Sequence, residues 1–112
     1  MVTLTNVGTI YDAIAASQGL GLGYYDYTGK TQAMFLVKVQ KIGTGTQSWQ
    51  LWNETDAVEV GVINDAAAAG SPKNLAATFS INGTGIKVLR IRAKSTVTGD
   101  DPIFLRGAVY LI

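Results

Sequence analysis

A chain of 112 residues with 47% hydrophobic and only 15% charged side chains forms one domain, able to bury roughly two-thirds of its unfolded surface. It holds neither cysteine nor histidine, which excludes disulfides, thiol nucleophiles, imidazole acid–base chemistry and the usual structural zinc sites. A net charge of +1 provides no long-range field toward nucleic acid or a membrane surface.

The charged share lies well below the roughly 25% of an average soluble domain, so either the surface is unusually apolar or a partner covers part of it. Thirteen glycines against two prolines fit many tight turns. Disorder is excluded by the apolar content. The N-terminus, Met1-Val2-Thr3-Leu4-Thr5, has no basic region and no apolar run of signal-peptide length. No stretch approaches the length of a membrane span, so the sequence reads as a protein made in a cytoplasm.

Residues 2–5 fit a short first strand. Residues 9–18 hold the only helical spacing, with Ile10, Ala13, Ile14 and Ser17 on one face and Thr9 as cap; a helical turn and a loop are both compatible with so short a run. Gly19-Leu20-Gly21-Leu22-Gly23 then alternates leucine with glycine and leads into Tyr24-Tyr25-Asp26-Tyr27. Thr28-Gly29-Lys30-Thr31 is a turn. Residues 32–42 make the longest strand, with Phe35, Val37 and Val39 on one face and Met34, Leu36, Lys38 and Gln40 on the other.

The centre of the chain is residues 46–65. Trp49 and Leu51 face one way, and Ser48, Gln50 and Trp52 the other. Asn53-Glu54-Thr55-Asp56 breaks the alternation with turn residues. Val58, Val60 and Val62 then share a face opposite Glu59 and Gly61. Two alternating runs around a short turn predict a β-hairpin with one buried face. Residues 64–74 are a loop with at most one helical turn at Ala66–Ala69. Leu75, Ala77, Phe79 and Ile81 alternate with small residues up to Asn82-Gly83-Thr84-Gly85, a hairpin signal because Asn-Gly accepts positive φ.

In residues 86–94, Leu89, Ile91 and Ala93 point inward and Arg90, Arg92 and Lys94 outward. After a polar turn ending Asp100-Asp101-Pro102, the last strand is apolar on both faces. Ile103, Leu105, Val109 and Leu111 take one, and Phe104, Ala108, Tyr110 and Ile112 the other, the pattern of a sheet covered on both sides. About eight strands at this spacing predict an all-β antiparallel sandwich, jelly-roll or Greek-key. Residues 1–31 form an arm or lid region and residues 32–112 the core hairpins. The expected core is Phe35, Val37, Val39, Trp49, Leu51, Val58, Val60, Phe79, Ile81, Leu89, Ile91 and Val109.

Chemistry-bearing groups are sparse. Asp100 and Asp101 are adjacent, so their side chains diverge, and the pair reads as a solvated turn. Ser71 and Lys73 sit in a Gly-Ser-Pro-Lys loop, where turn chemistry explains them better than a dyad. Glu54, Asp56, Asn64 and Asp65 offer the oxygens calcium takes, without EF-hand spacing. Gly43-Thr44-Gly45 and Gly83-Thr84-Gly85 resemble phosphate-loop fragments but open no helix. Asn53-Glu54-Thr55 and Asn82-Gly83-Thr84 match the glycosylation pattern and, without a secretory signal, read as turns. Trp52 is the one candidate for an exposed ligand platform, with packing under a loop or against another subunit as the competing reading. The row Arg90, Arg92, Lys94 lacks interleaved aromatics and reads as a salt-bridged or solvated face rather than a nucleic-acid surface. These observations predict no enzyme, no catalytic or metal site and no cofactor.

The run Trp49-Gln50-Leu51-Trp52-Asn53-Glu54-Thr55-Asp56, then Val58-Glu59-Val60-Gly61, Leu89-Arg90-Ile91-Arg92-Ala93-Lys94-Ser95 and Val109-Tyr110-Leu111-Ile112 resembles small β-sandwich domains of virus and phage particles: decoration (cement) proteins, turrets and fibre tips. The resemblance covers residues 32–112. It implies a virion structural protein made in a host cytoplasm, contacting other capsid proteins, with a trimer favoured. The residues themselves predict self-association, from the low charge, the two-faced last strand and the apolar segment 19–27, with Tyr24, Tyr25, Tyr27, Phe104, Tyr110 and Ile112 at the contact. The competing function is a carbohydrate-binding sandwich taking a glycan on exposed aromatics such as Trp52.

Overall fold

Runs rich in β-branched and aromatic residues, alternating in polarity and punctuated by glycine and asparagine, form strands because a half-buried pleated surface accommodates them. The computed structural model describes residues 2–3, 11, 21–67 and 69–112. The helical spacing within residues 9–18 falls outside these residues apart from Tyr11, as do Leu4, Thr5, Gly19, Leu20 and Ala68. The strands are β1 (Val2–Thr3), β2 (Gly21–Asp26), β3 (Gln32–Gln40), β4 (Gln47–Asn53), β5 (Val58–Asp65), β6 (Lys73–Ser80), β7 (Ile86–Ser95) and β8 (Ile103–Leu111).

Two antiparallel sheets pack as a sandwich, in the orders β1-β8-β3-β6 and β2-β7-β4-β5. Seven strands of six residues or more carry the fold, and the two-residue β1 edges one sheet. The chain alternates between the layers at almost every connection, which is the jelly-roll order. Among the described strands β4 and β5 are the one consecutive pair that forms a hairpin. The hairpin expected at Asn82-Gly83 is therefore corrected: this segment carries the chain from β6 in one sheet to β7 in the other. Its glycines, at φ 105° and 84°, serve that crossing. The amide of Tyr27 donates to the Gly85 carbonyl (2.9 Å), and the Gly85 amide donates to Thr28 Oγ1 (3.0 Å), tying the two crossovers together.

The core lies between the layers. Ala33, Phe35, Val37 and Val39 of β3 and Phe104 and Val109 of β8 meet Trp49 and Leu51 of β4 and Leu89, Ile91 and Ala93 of β7, all buried. Trp49 and Phe104 pack ring to ring across the sandwich, with centroids 5.9 Å apart. Ile63, Ile81 and Tyr27 complete the cluster, with Val60, Leu75 and Phe79 packed against it.

Three β-bulges set the phase of the strands, and two of them correct the sequence reading. On β5, Leu51 pairs with Gly61 but Trp52 with Glu59, so Val60 is the extra residue. Gly61 and Ile63 then face inward; Val58, expected in the core, is 49% exposed. The absence of a side chain at Gly61 is required, because a Cβ there would fall 2.3 Å from the Phe79 ring. On β8, Val39 pairs with Phe104 but Lys38 with Arg106, leaving Leu105 unpaired. Phe104 and Val109 both point inward, although they are five positions apart. The third bulge, at Leu22 of β2, lies between Gly21↔Arg90 and Gly23↔Leu89. Within the region expected as an arm or lid, β2 is a strand paired antiparallel with β7.

Trp49 is fully enclosed. Trp49→Ala should lower the unfolding free energy by about 3–5 kcal/mol, as large-to-small core truncations do; urea unfolding followed by circular dichroism measures it.

Candidate functional site

The two outer faces differ in chemistry. On the β1-β8-β3-β6 sheet, Leu36 of β3 is in register with Ala76 of β6 on one side and Ala108 of β8 on the other. A large side chain between two small ones leaves a trough, and here an open groove of about 360 Å³ runs over all three strands. Tyr110, 60% exposed, stands along it beside Met34, its register partner on β3. Lys38, Arg106 and Asn74, also in register with one another, make it polar at its other end. The described ion pairs lie elsewhere: Lys73–Asp65, Lys87–Asp56 and Arg90–Glu54. This outer face therefore combines an apolar floor with two adjacent cations.

The outer face of the β2-β7-β4-β5 sheet is occupied by its own side chains. The Arg92 guanidinium lies 4.1 Å from the centre of the Trp52 ring, a cation–π contact. Trp52 Nε1 donates to Glu54 Oε2 (3.0 Å), and Arg90 Nε lies 3.6 Å from the same oxygen. Gln50 Nε2 donates to Glu59 Oε1 (2.9 Å), and Ser48 Oγ to Asn64 Oδ1 (2.6 Å). Lys94 Nζ sits 4.7 Å from the centre of the Tyr11 ring. Burial raises the pKa of that tyrosine. The row of three cations is thus spent on aromatics and an acid of the same face. Trp52 is half-buried with a guanidinium over one ring face, so it is not a bare stacking platform.

The six residues predicted for an oligomer contact separate. Tyr24 is 80% exposed, Tyr110 and Ile112 are exposed, and Tyr25 is half-buried against the core. Tyr27 and Phe104 are buried within the chain itself, so their assignment to an outer surface is corrected. For Phe104 the cause is the bulge at Leu105. For Tyr27 it is position: it lies just beyond β2, where the chain crosses to the other sheet.

The turn acids do not converge. Asp56 lies at the closed end of the β4–β5 hairpin, whereas Asp65 pairs with Gln47 at its far end, about 20 Å away at the usual rise per strand residue. Asp65 Oδ1 accepts from Lys73 (2.6 Å), which also takes that lysine from the Ser71–Lys73 pairing. Among the described residues no three acidic, histidine or cysteine side chains group as a metal site would. Asp100 Oδ2 accepts from the amides of Thr44 (3.0 Å) and Gly45 (3.1 Å). The amides of the phosphate-loop-like segment are thus already held by a carboxylate of the same chain. Gly43, at φ 82°, lets that carboxylate approach to where a Cβ would stand. Sequence reasoning missed this clamp because it joins residues 55 and 56 positions apart.

The hairpin turn is closed by side chains. Asn53 Oδ1 accepts from the Asp56 amide (3.0 Å), its Nδ2 donates to Asp56 Oδ2 (2.9 Å), and the Val88 amide donates to Thr55 Oγ1 (2.8 Å). These bonds force Ala57 to φ 53°, the left-handed region. Ala57→Gly should raise stability by up to about 1.5 kcal/mol: it relieves about 1–2 kcal/mol of steric cost and gives back about 0.4–1 kcal/mol in unfolded-chain freedom. Thermal melts compare the two.

The hydrogen bond from Lys87 holds the Asp56 carboxyl below its ordinary pKa, reinforced by Asn53. A depressed folded pKa means this stabilisation is full above the ordinary carboxylate value and is lost as pH falls through the lower folded one. The gap in melting temperature between the parent and Asp56→Asn should therefore close as pH is lowered from about 5 to about 2. Comparison with protein-family models, with curated proteins and with solved structures returned no match.

Proposed function

We propose that this chain is a non-enzymatic structural protein that works by self-association, as a surface component of a particle such as a virion. The observation that carries this reading is the apolar outer face of the β1-β8-β3-β6 sheet, where Leu36, Ala76, Ala108 and Tyr110 form a groove open to solvent. A sandwich fills its interior with its inward faces, so an apolar outer groove is surface available for a contact. The second support is the low share of charged residues, 15% of the chain. A third is analogy at the level of fold alone: jelly-roll sandwiches recur in capsid and lectin domains. The role as a decoration or cement component, alongside other capsid proteins, rests on the sequence resemblance over residues 32–112.

The carbohydrate-binding reading is weaker because Arg92 already stacks on Trp52. An enzymatic role finds little support in the described acids, which are engaged in turns and ion pairs. Light scattering at micromolar concentration tests the proposal: the expected mass is a multiple of 11.8 kDa, and a monomer would overturn it.

A further inference from the structure

A sheet edge is a row of unpaired backbone donors and acceptors, and proteins blunt such edges with bulges, charges or very short strands. Three of the four edges here are treated in this way. β1 has two residues. β2 carries the Leu22 bulge. β5 carries the Val60 bulge, with Glu59 beside it and Asp65 at its end. β6 has Lys73 at its first position, after Pro72, and none of these devices beyond it. It runs for eight residues in unbroken register with β3, and from Asn74 to Ser80 it contains no charge, no proline and no bulge.

The backbone groups that are left free can be identified. Gln32 and Ile112 exchange both of their hydrogen bonds (3.1 and 2.9 Å), so the even-numbered residues of β3 bond towards β8. Its odd-numbered residues bond towards β6, where they are in register with Leu75, Ala77 and Phe79. The N–H and C=O groups of Asn74, Ala76, Thr78 and Ser80 consequently point out of the sheet.

We propose, building on the self-association reading above, that β6 is the contact strand and pairs antiparallel with β6 of a second copy about a twofold axis at Ala77. This register matches like with like. Leu75 falls opposite Phe79, Ala76 opposite Thr78, and Asn74 opposite Ser80. Lys73 falls opposite Ile81, so no cation meets a cation. The four residues with free backbone groups pair with one another, and each such pair exchanges two hydrogen bonds. The half-buried Leu75 and Phe79 gain apolar neighbours on the inner face. On the outer face, the groove beside Ala76 continues across the join. Because the contact is isologous it uses up the same edge on both copies and closes at a dimer, where the resemblance to particle proteins implies a trimer.

The test is amide hydrogen exchange and light scattering on the full chain. In the dimer, the amides of Asn74, Ala76, Thr78 and Ser80 should exchange slowly. The double variant Ala76→Lys/Thr78→Lys sets lysine opposite lysine across the axis, and its dimer should dissociate at a concentration at least about tenfold higher, with the edge amides released. Thr78→Pro removes one edge N–H and no bond within the chain, and should act in the same direction if the lysines disturb folding. An oligomer in which these four amides exchange freely, or whose mass both variants leave unchanged, overturns the β6 contact and leaves self-association standing. A monomeric parent protein overturns both.

Discussion

The contact between Trp49 and Phe104 joins the two layers, and much of the surface follows from it. Trp49 comes from the middle of one sheet and Phe104 from the last strand of the other, and their rings meet 5.9 Å apart. To reach Trp49, Phe104 must point inward. Val109 must also point inward, opposite Phe35. A regular strand cannot bring two residues five apart to the same face, since its side chains alternate. The unpaired Leu105 resolves the conflict, and from Arg106 onward it fixes which residues point out. Ala108 and Tyr110 lie on the outer face because Phe104 is in the core.

The same logic separates the two outer faces. On the β2-β7-β4-β5 sheet, the outward residues of β7 are Arg90, Arg92 and Lys94, and their neighbours include Trp52, Glu54 and Tyr11. Cation–π and ion-pair contacts of this kind are individually modest when exposed. Their combined effect is to place each of the three cations beside an aromatic ring or an acid of the same face. Among the described residues, the outward side chains of β3, β6 and β8 make no cation–π contact or ion pair of this kind. Leu36 lies between two alanines, and Lys38 stands beside Arg106 rather than beside an acid.

Strand positions and the all-β sandwich were readable in the sequence because alternation is local. Phe35, Val37 and Val39, like Leu89, Ile91 and Ala93, declare their faces within a few residues. The bulges were not readable, since each extra residue is defined only against a partner strand far along the chain. For that reason Val58 was expected inside and Phe104 outside. Asn82-Gly83 shows the same limit in another form: the pair announces positive φ correctly, but it says nothing about whether the chain turns back into its own sheet or crosses to the other. Of the predicted contact residues, Tyr24, Tyr110 and Ile112 are exposed, and Tyr27 was misplaced because an aromatic run of three with one aspartate has no clear period.

Protection of the edges is distributed as unevenly as the chemistry of the faces. Both edges of the β2-β7-β4-β5 sheet, the sheet whose outer cations stack on aromatics or pair with an acid, carry bulges. The β1-β8-β3-β6 sheet has the apolar groove, and its bulge lies between β8 and β3, where it orients Phe104 and protects no edge. The bare β6 edge belongs to this sheet as well. A monomer selected only for solubility would gain from a single lysine among Asn74, Ala76, Thr78 and Ser80, since none of these side chains is needed by the core. Their small, neutral character fits a strand that lies beside another strand better than one that faces water. Groove and bare edge meet at Ala76, so one approach of a second copy would cover both.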